Sequence, residues 1–167
     1  MLSRPTWIPA LMFLYDYDGD WDKYFDAVYQ VFLKDFVKSQ PKFKGQRLAL
    51  KRHPVIDGKE ATFWHLISEG KIEADRKPDL RRCERISWPR PIIESNDKEP
   101  ILRIWENTRN GEKRICLWLV FDNESYLVIL AKREGYLLPW TAYPVTQSHT
   151  KVKLQKEYDA YKAGAAL

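Results

Sequence analysis

Three histidines are spread through the 167-residue chain, and His65 sits inside the apolar run Phe63-Trp64-His65-Leu66-Ile67. It reads as mid-strand between large apolar neighbours, and an imidazole projecting from the sheet into a cleft can accept or donate a proton near neutral pH. The competing reading is a core histidine whose ring is satisfied locally. His149 opens the last predicted helix in Ser148-His149-Thr150-Lys151. It reads either as an exposed first-turn residue or, with Lys151 and Lys153, as part of a polyanion-binding surface. His53, directly before Pro54, reads as surface. Arg81, Arg82 and Arg85 fall at i, i+1 and i+4, so Arg81 and Arg85 share a helix face and can grip one phosphate unless Asp79 and Glu84 pair with them. In Trp140-Thr141-Ala142-Tyr143, strand alternation puts Thr141 and Tyr143 on one face and Trp140 and Ala142 on the other.

A set of His, Arg, Lys, Thr and Tyr without a metal motif suits one chemistry in particular. In metal-free RNA cleavage the 2′-hydroxyl loses a proton and attacks its own phosphate. The leaving 5′-oxygen gains a proton, and fixed donors meet the charge on the phosphorane. The nucleophile belongs to the RNA, so no activated serine or cysteine is needed. The motifs of other chemistries are missing from the sequence: GxGxxG, GxxxxGK, GxSxG and HExxH do not occur. Cys83 and Cys116 lie far apart in no metal-ligand spacing and read as reduced thiols of a cytosolic protein. No metal and no cofactor is expected. Asp16, Asp18, Asp20 and Asp22 alternate like a calcium loop, but Ala27 stands where the last ligand of an EF-hand would fall. Capping of the following helix explains them better, with docking to a basic partner as the next reading.

The elements that must position these residues follow from the sequence pattern. Asp20 caps a helix over 21–39, with apolar residues at i, i+3, i+4 spacing, and Pro41 stops it. Segments 47–56 and 61–68 read as a hairpin about Asp57-Gly58. Pro78-Asp79 opens a basic helix through Arg85 that continues, bent or broken at Pro89 and Pro91, toward Glu94. Past Asn96-Asp97, segments 101–108, 114–121, 126–132 and 136–145 read as a four-stranded meander joined at Asn110-Gly111, Asp122-Asn123 and Glu134-Gly135. Ser148 caps a last helix through Ala163, with Val152, Leu154, Tyr158 and Tyr161 toward the sheet. The class is α+β, an antiparallel sheet packed with an N-terminal, a central basic and a C-terminal helix. One domain over 1–167 is expected, with a helical segment over 1–40 and an α+β core over 47–163.

The net charge of +5 conceals an uneven distribution. The first 26 residues carry five Asp against Arg4 and Lys23, whereas 42–53 carry five basic residues and no acid. Segment 76–90 carries six basic residues, Arg90 among them, against Asp79 and Glu84. Basic stretches that converge on one face attract polyanions, and 7 Trp with 9 Tyr supply planes for nucleobases. No apolar run approaches the ~20 residues of a membrane span, and no secretory signal pattern opens the chain.

Phe63-Trp64-His65-Leu66-Ile67-Ser68-Glu69-Gly70, Arg81-Arg82-Cys83-Glu84-Arg85-Ile86 with Trp88, and Trp140-Thr141-Ala142-Tyr143 together resemble the ribonuclease superfamily that unites barnase, EndoU, colicin D and RelE-type toxins. The phage- and mobile-element-associated branches are the most similar, over about residues 48–162. The resemblance implies a metal-independent endoribonuclease toxin of the cytoplasm that acts on tRNA or mRNA and is restrained by an antitoxin or immunity protein. It implies His65 as the acid/base group, Arg82 or Arg85 as the phosphate stabiliser, and Thr141 and Tyr143 as substrate-positioning groups. Arg81, Trp88, Arg90, His149, Lys151 and Lys153 are the expected RNA contacts. A non-catalytic RNA-binding module and a protein-interaction module are the alternatives.

Overall fold

Asp20 begins the first long helix as its side chain permits, accepting a hydrogen bond from the Lys23 backbone N–H at 3.2 Å. Helix α1 (Trp21–Phe32) runs on into a wider π turn over Leu33–Val37. Tyr24, Val28, Phe32 and Phe36 recur every four residues, and all four are buried. This is a computed structural model, and it describes residues 3–95 and 97–164. Asn96 of the expected boundary dipeptide lies outside the described residues.

A small antiparallel pair follows, β1 (Lys42–Phe43) with β2 (Gln46–Arg47). Helix α2 (Ala61–Ile67) leads into β3 (Ser68–Glu69), which pairs antiparallel with β4 (Lys77–Pro78). Helices α3 (Leu80–Glu84) and α4 (Pro89–Glu94) precede the main sheet. That sheet is a meander of β5 (Leu102–Arg109), β6 (Glu112–Phe121), β7 (Glu124–Arg133) and β8 (Tyr136–Pro144), with strand order matching chain order. Asn110 and Gly111 both adopt positive φ, at 52° and 77°, the backbone that joins twisted strands through two residues. Helix α5 (Ser148–Lys162) closes the described chain. The fold is α+β, and no helix among the described residues is long and apolar enough to cross a membrane.

The segment expected to return as a strand over 61–68 is instead α2 and the start of β3. All seven residues of α2 are buried, so its apolar run has no polar stripe from which the helical period could be read. The decision is tertiary. The carbonyls of Arg52 and Lys51 accept the first N–H groups of the helix, from Ala61 at 3.2 Å and Thr62 at 2.9 Å. Phe63 meanwhile packs its ring against Phe25, Tyr29 and Phe32 of α1. Of the expected 47–56 strand there remain Arg47 in β2, a bridge from Leu48 to Leu137, and an antiparallel bridge from Ile56 to Lys59 across the expected Asp57-Gly58 turn. Arg85 lies just past α3 and is buried.

The two sheet faces are covered unequally. One face, with Leu117, Leu119, Tyr126, Val128 and Leu130, shares a single core with α1, α2 and Trp88 and Ile92 of the α4 region. The other face, with Trp105, Cys116, Trp118, Leu127 and Ile129, packs against Val145 and against Leu154 and Tyr158 of α5. Val152 and Tyr161 remain exposed and are not buried against the sheet with Leu154 and Tyr158, and Gln147 precedes the helix as its N-cap where Ser148 was expected to cap it. With so small an apolar face, α5 is held by a polar anchor: Glu157 Oε1 accepts from Trp105 Nε1 at 2.9 Å and also from Asn107 Nδ2. Glu157→Ala leaves two donors without that acceptor, a loss of about 1–3 kcal/mol per group. A lower urea midpoint is expected, together with faster hydrogen exchange of α5 amides relative to β6 and β7. Unchanged α5 exchange would show that Leu154 and Tyr158 suffice.

Candidate functional site

Because α5 covers only part of its sheet face, the rest forms the floor of a cleft of about 1010 Å³. Asn107, Arg114, Cys116, Ile129, Thr141 and Tyr143 line the floor, His149, Lys153 and Glu157 one wall, and His65, Ser68, Glu69, Arg76 and Arg82 the other. Among these lining residues, Arg76, Arg82, Arg109, Arg114 and Lys153 face only Glu69 and Glu157 as opposing charges. A smaller groove of about 680 Å³ beside β5 mixes Lys44, Lys132 and Lys162 with Asp97, Glu99 and Glu106, and no histidine lines it.

His65 is 4% exposed, and its Nε2 lies 2.7 Å from Glu73 Oε1. A loop thrown back over the end of α2 makes this contact. Gly70 turns with φ +137°, a backbone that L side chains rarely adopt, and a short 3-10 turn over Glu73–Asp75 delivers the carboxylate. Burial depresses the His65 pKa, aided by the charges of Arg76 and Lys51 and outweighing the opposing pull of Glu73. For Glu73, burial is the largest influence and acts upward. The hydrogen bond from His65 and the charges of His65, Arg76 and Lys51 together overcome it and hold the carboxyl below its ordinary range. At neutral pH the pair is therefore a neutral imidazole against a carboxylate. A carboxylate only accepts, so the imidazole proton is assigned to Nε2, and Nδ1 keeps a free lone pair.

Arg82, buried at the start of α3, donates through Nη1 to the Ser68 carbonyl at 2.8 Å and to Thr141 Oγ1 at 3.4 Å, and its guanidinium stacks 5.2 Å from the Tyr143 ring. Asp79 sets this geometry by capping α3 through the Arg82 backbone N–H at 3.2 Å. Arg76 Nη1 donates to the same Ser68 carbonyl at 3.1 Å. On the floor, Arg114 Nε donates to Asn107 Oδ1 at 3.1 Å, and Asn107 is held in turn by Glu157. This orients the guanidinium within the cleft.

His65, Arg82, Thr141, Tyr143, His149 and Lys153 thus come together from sequence positions far apart. The other expected site residues lie elsewhere. Arg85 is buried between Glu84 and Glu124 and packs over Trp88, so its charge is spent inside the fold. Arg81 forms a two-pronged pair with Glu84 at 2.8 Å and borders a neighbouring groove. Trp88 is buried against Tyr126, and its Nε1 donates to the Pro9 carbonyl at 2.9 Å. Arg90 pairs with Glu94 of its own helix α4 and donates to the Asp35 carbonyl in the π turn and to Ser39 beyond it. Lys151 sits beside Trp118 and Arg103, outside the cleft.

Trp140 was expected on the face opposite Thr141, yet both line the cleft. Pairing jumps from Ile129–Thr141 to Leu130–Pro139, leaving Trp140 as the extra residue of a β-bulge. Its ring meets the His65 ring at 4.9 Å and 83°. Sequence reasoning also missed Glu73, Arg76 and Arg114. Arg114 alternates with Cys116 and Trp118 and was in principle readable as a polar break in a strand face. Glu73 and Arg76 depend on the loop and carry no local signal. Burial pushes the thiols of Cys83 and Cys116 up to about 12, so neither is a thiolate nucleophile at neutral pH. Compared with protein-family models, curated proteins and solved structures, the chain matches none.

The depressed His65 pKa has a consequence for stability. As pH falls through the ordinary imidazole value of 6.5, the unfolded chain binds the His65 proton before the folded chain does. Stability contributed by the neutral form is then lost until the folded-state value is passed, and Glu73 adds a loss only below its ordinary 4.5. His65→Gln removes the upper part. The urea midpoint of the native protein should fall more than that of the variant between about pH 7.5 and about pH 5. Equal falls would show an imidazole that titrates normally.

Proposed function

We propose that the cleft is the active site of a metal-independent endoribonuclease. The observation that carries this reading is a neutral, carboxylate-oriented imidazole beside two guanidinium groups gathered at one backbone carbonyl. In this reading His65 Nδ1 takes the proton of an RNA 2′-hydroxyl, and Glu73 stabilises the imidazolium that forms. The 2′-oxygen bonds to phosphorus as the P–O5′ bond breaks, leaving a 2′,3′-cyclic phosphate and a 5′-hydroxyl. Arg76, Arg82 and Arg114 meet the charge on the phosphorane. Thr141 and Tyr143 position the phosphate, and His149 or Lys153, on the facing wall, returns a proton to the leaving oxygen. The likeness to the barnase, EndoU, colicin D and RelE superfamily points the same way in its arginine helix, meander and Thr-x-Tyr pair, although His65 rises from helix α2 and not from the expected early strand. It extends the proposal to a cytoplasmic toxin acting on tRNA or mRNA and held by an antitoxin or immunity protein.

The low exposure of His65 favours one rival, a cleft that binds RNA without cutting it. Total RNA incubated with purified protein in EDTA separates the two. Cleavage to cyclic-phosphate ends is expected, with a loss of at least about 100-fold in His65→Ala and of similar size in Arg114→Ala. Intact RNA that is bound in a salt-dependent manner, equally by native protein and His65→Ala, would establish the rival.

A further inference from the structure

The bulge that turns Trp140 into the cleft also makes it the wall of a second groove. This groove, of about 490 Å³, is lined by Leu50, Lys51, Arg133, Tyr136, Leu138 and Trp140. The two cavities therefore meet at one side chain, whose ring lies 4.9 Å from that of His65. Lys51 and Arg133 stand over the Trp140 ring at 5.8 and 5.5 Å. Tyr136 is 42% exposed at the rim, with its ring available to a ligand. The groove and His65 also form one connected unit. The Lys51 backbone N–H donates to Thr62 Oγ1 of α2 at 2.8 Å, and Ala49 N–H donates to the Leu137 carbonyl of β8 at 2.8 Å.

We infer that this groove seats an unpaired nucleotide flanking the phosphate held in the cleft, with the base against Tyr136 and Leu138 and its phosphate between Lys51 and Arg133. The inference rests on the ribonuclease reading and adds a substrate class to it, single-stranded RNA. An aromatic rim over an apolar floor takes the face of a base, which a duplex hides in its stack. Lys51 lies 3.8 Å from Glu73 and Arg133 donates to Glu112 at 2.8 Å, and both are solvent-accessible pairs that a backbone phosphate can share or displace.

The test uses a short 2′-O-methyl RNA strand, which lacks the nucleophile and survives in the native protein, with one 2-aminopurine moved stepwise along it. Tyr136 is exposed, so Tyr136→Ala is compatible with the fold. Quenching of the probe is expected at a particular position in the native protein, retained in Tyr136→Phe and lost in Tyr136→Ala, with about tenfold weaker binding in the last. Absence of quenching at every position, or equal affinity of the native protein and Tyr136→Ala, overturns the inference, as does equal affinity for a duplex of the same length. Cleavable RNA is assayed in parallel. Cleavage without position-dependent quenching removes the subsite and leaves the ribonuclease reading standing. Quenching without cleavage removes the ribonuclease reading and supports a single-strand-binding groove.

Discussion

The carbonyl oxygen of Ser68 accepts hydrogen bonds from the guanidinium groups of both Arg76 and Arg82. Two like charges are thereby held side by side where burial has removed much of their water. Glu73 offsets Arg76, but Glu69, the carboxylate nearest Arg82, is 81% exposed and screened by solvent. Such a pair remains short of negative charge, which suits it to charge-assisted hydrogen bonds with an anion. Much of the surrounding architecture serves this arrangement. The β3–β4 pairing sets the Ser68 carbonyl, the Asp79 cap sets Arg82, and the turn at Gly70 brings back Arg76 together with Glu73.

Unequal covering of the main sheet makes room for the site. The face toward α1–α4 is closed by close-packed aromatic and aliphatic side chains, which supply the hydrophobic stabilisation of the fold. The opposite face is covered more sparsely, by α5 through Leu154, Tyr158 and the Glu157 anchor, by Val145, and by Arg82 over Tyr143. Beyond Leu154 and Tyr158 the floor turns polar, with Asn107, Arg114 and Thr141 replacing apolar residues. The same Glu157 that fastens the helix also fixes Asn107 and, through it, Arg114. Attachment of α5 and orientation of a cleft cation are thus parts of one hydrogen-bonded chain.

Burial within α2 gives His65 its chemical character. Desolvation keeps the imidazole neutral, while Glu73 assigns its proton to Nε2 and leaves Nδ1 basic. Edge-on contact with Trp140 holds the ring from another side. In contrast, the buried Arg85–Glu84–Glu124 cluster uses similar residue types to join α3 to β7 inside the fold. Identical chemistry in the sequence serves two ends, separated only by where each side chain is sealed from water.

The sequence by itself determined the elements whose signals are local. The meander is legible because Asn110-Gly111 and Glu134-Gly135 favour tight turns between alternating segments, and α1 because Asp20 precedes an apolar stripe of helical period. His65, Thr141 and Tyr143 were nameable as candidates because polar groups within apolar strand patterns stand out in one dimension, while Arg82 entered through the resemblance, and the fold brings all four to one cleft. Other features are products of packing. Residues 61–67 become a helix because carbonyls of Lys51 and Arg52 and the rings of α1 receive them, and a run buried on all sides carries no period. Trp140 reaches the cleft through a register jump that exists only between paired strands. Arg85 is drawn to Glu124, which only the tertiary fold supplies, whereas the Arg81–Glu84 pair is local and was an open alternative in the sequence, and Glu73 meets His65 through a loop whose path no local propensity encodes. Local backbone preference is written along the chain, whereas the partner of a charge and the face of a bulged residue are settled only when distant segments compete for the same buried space.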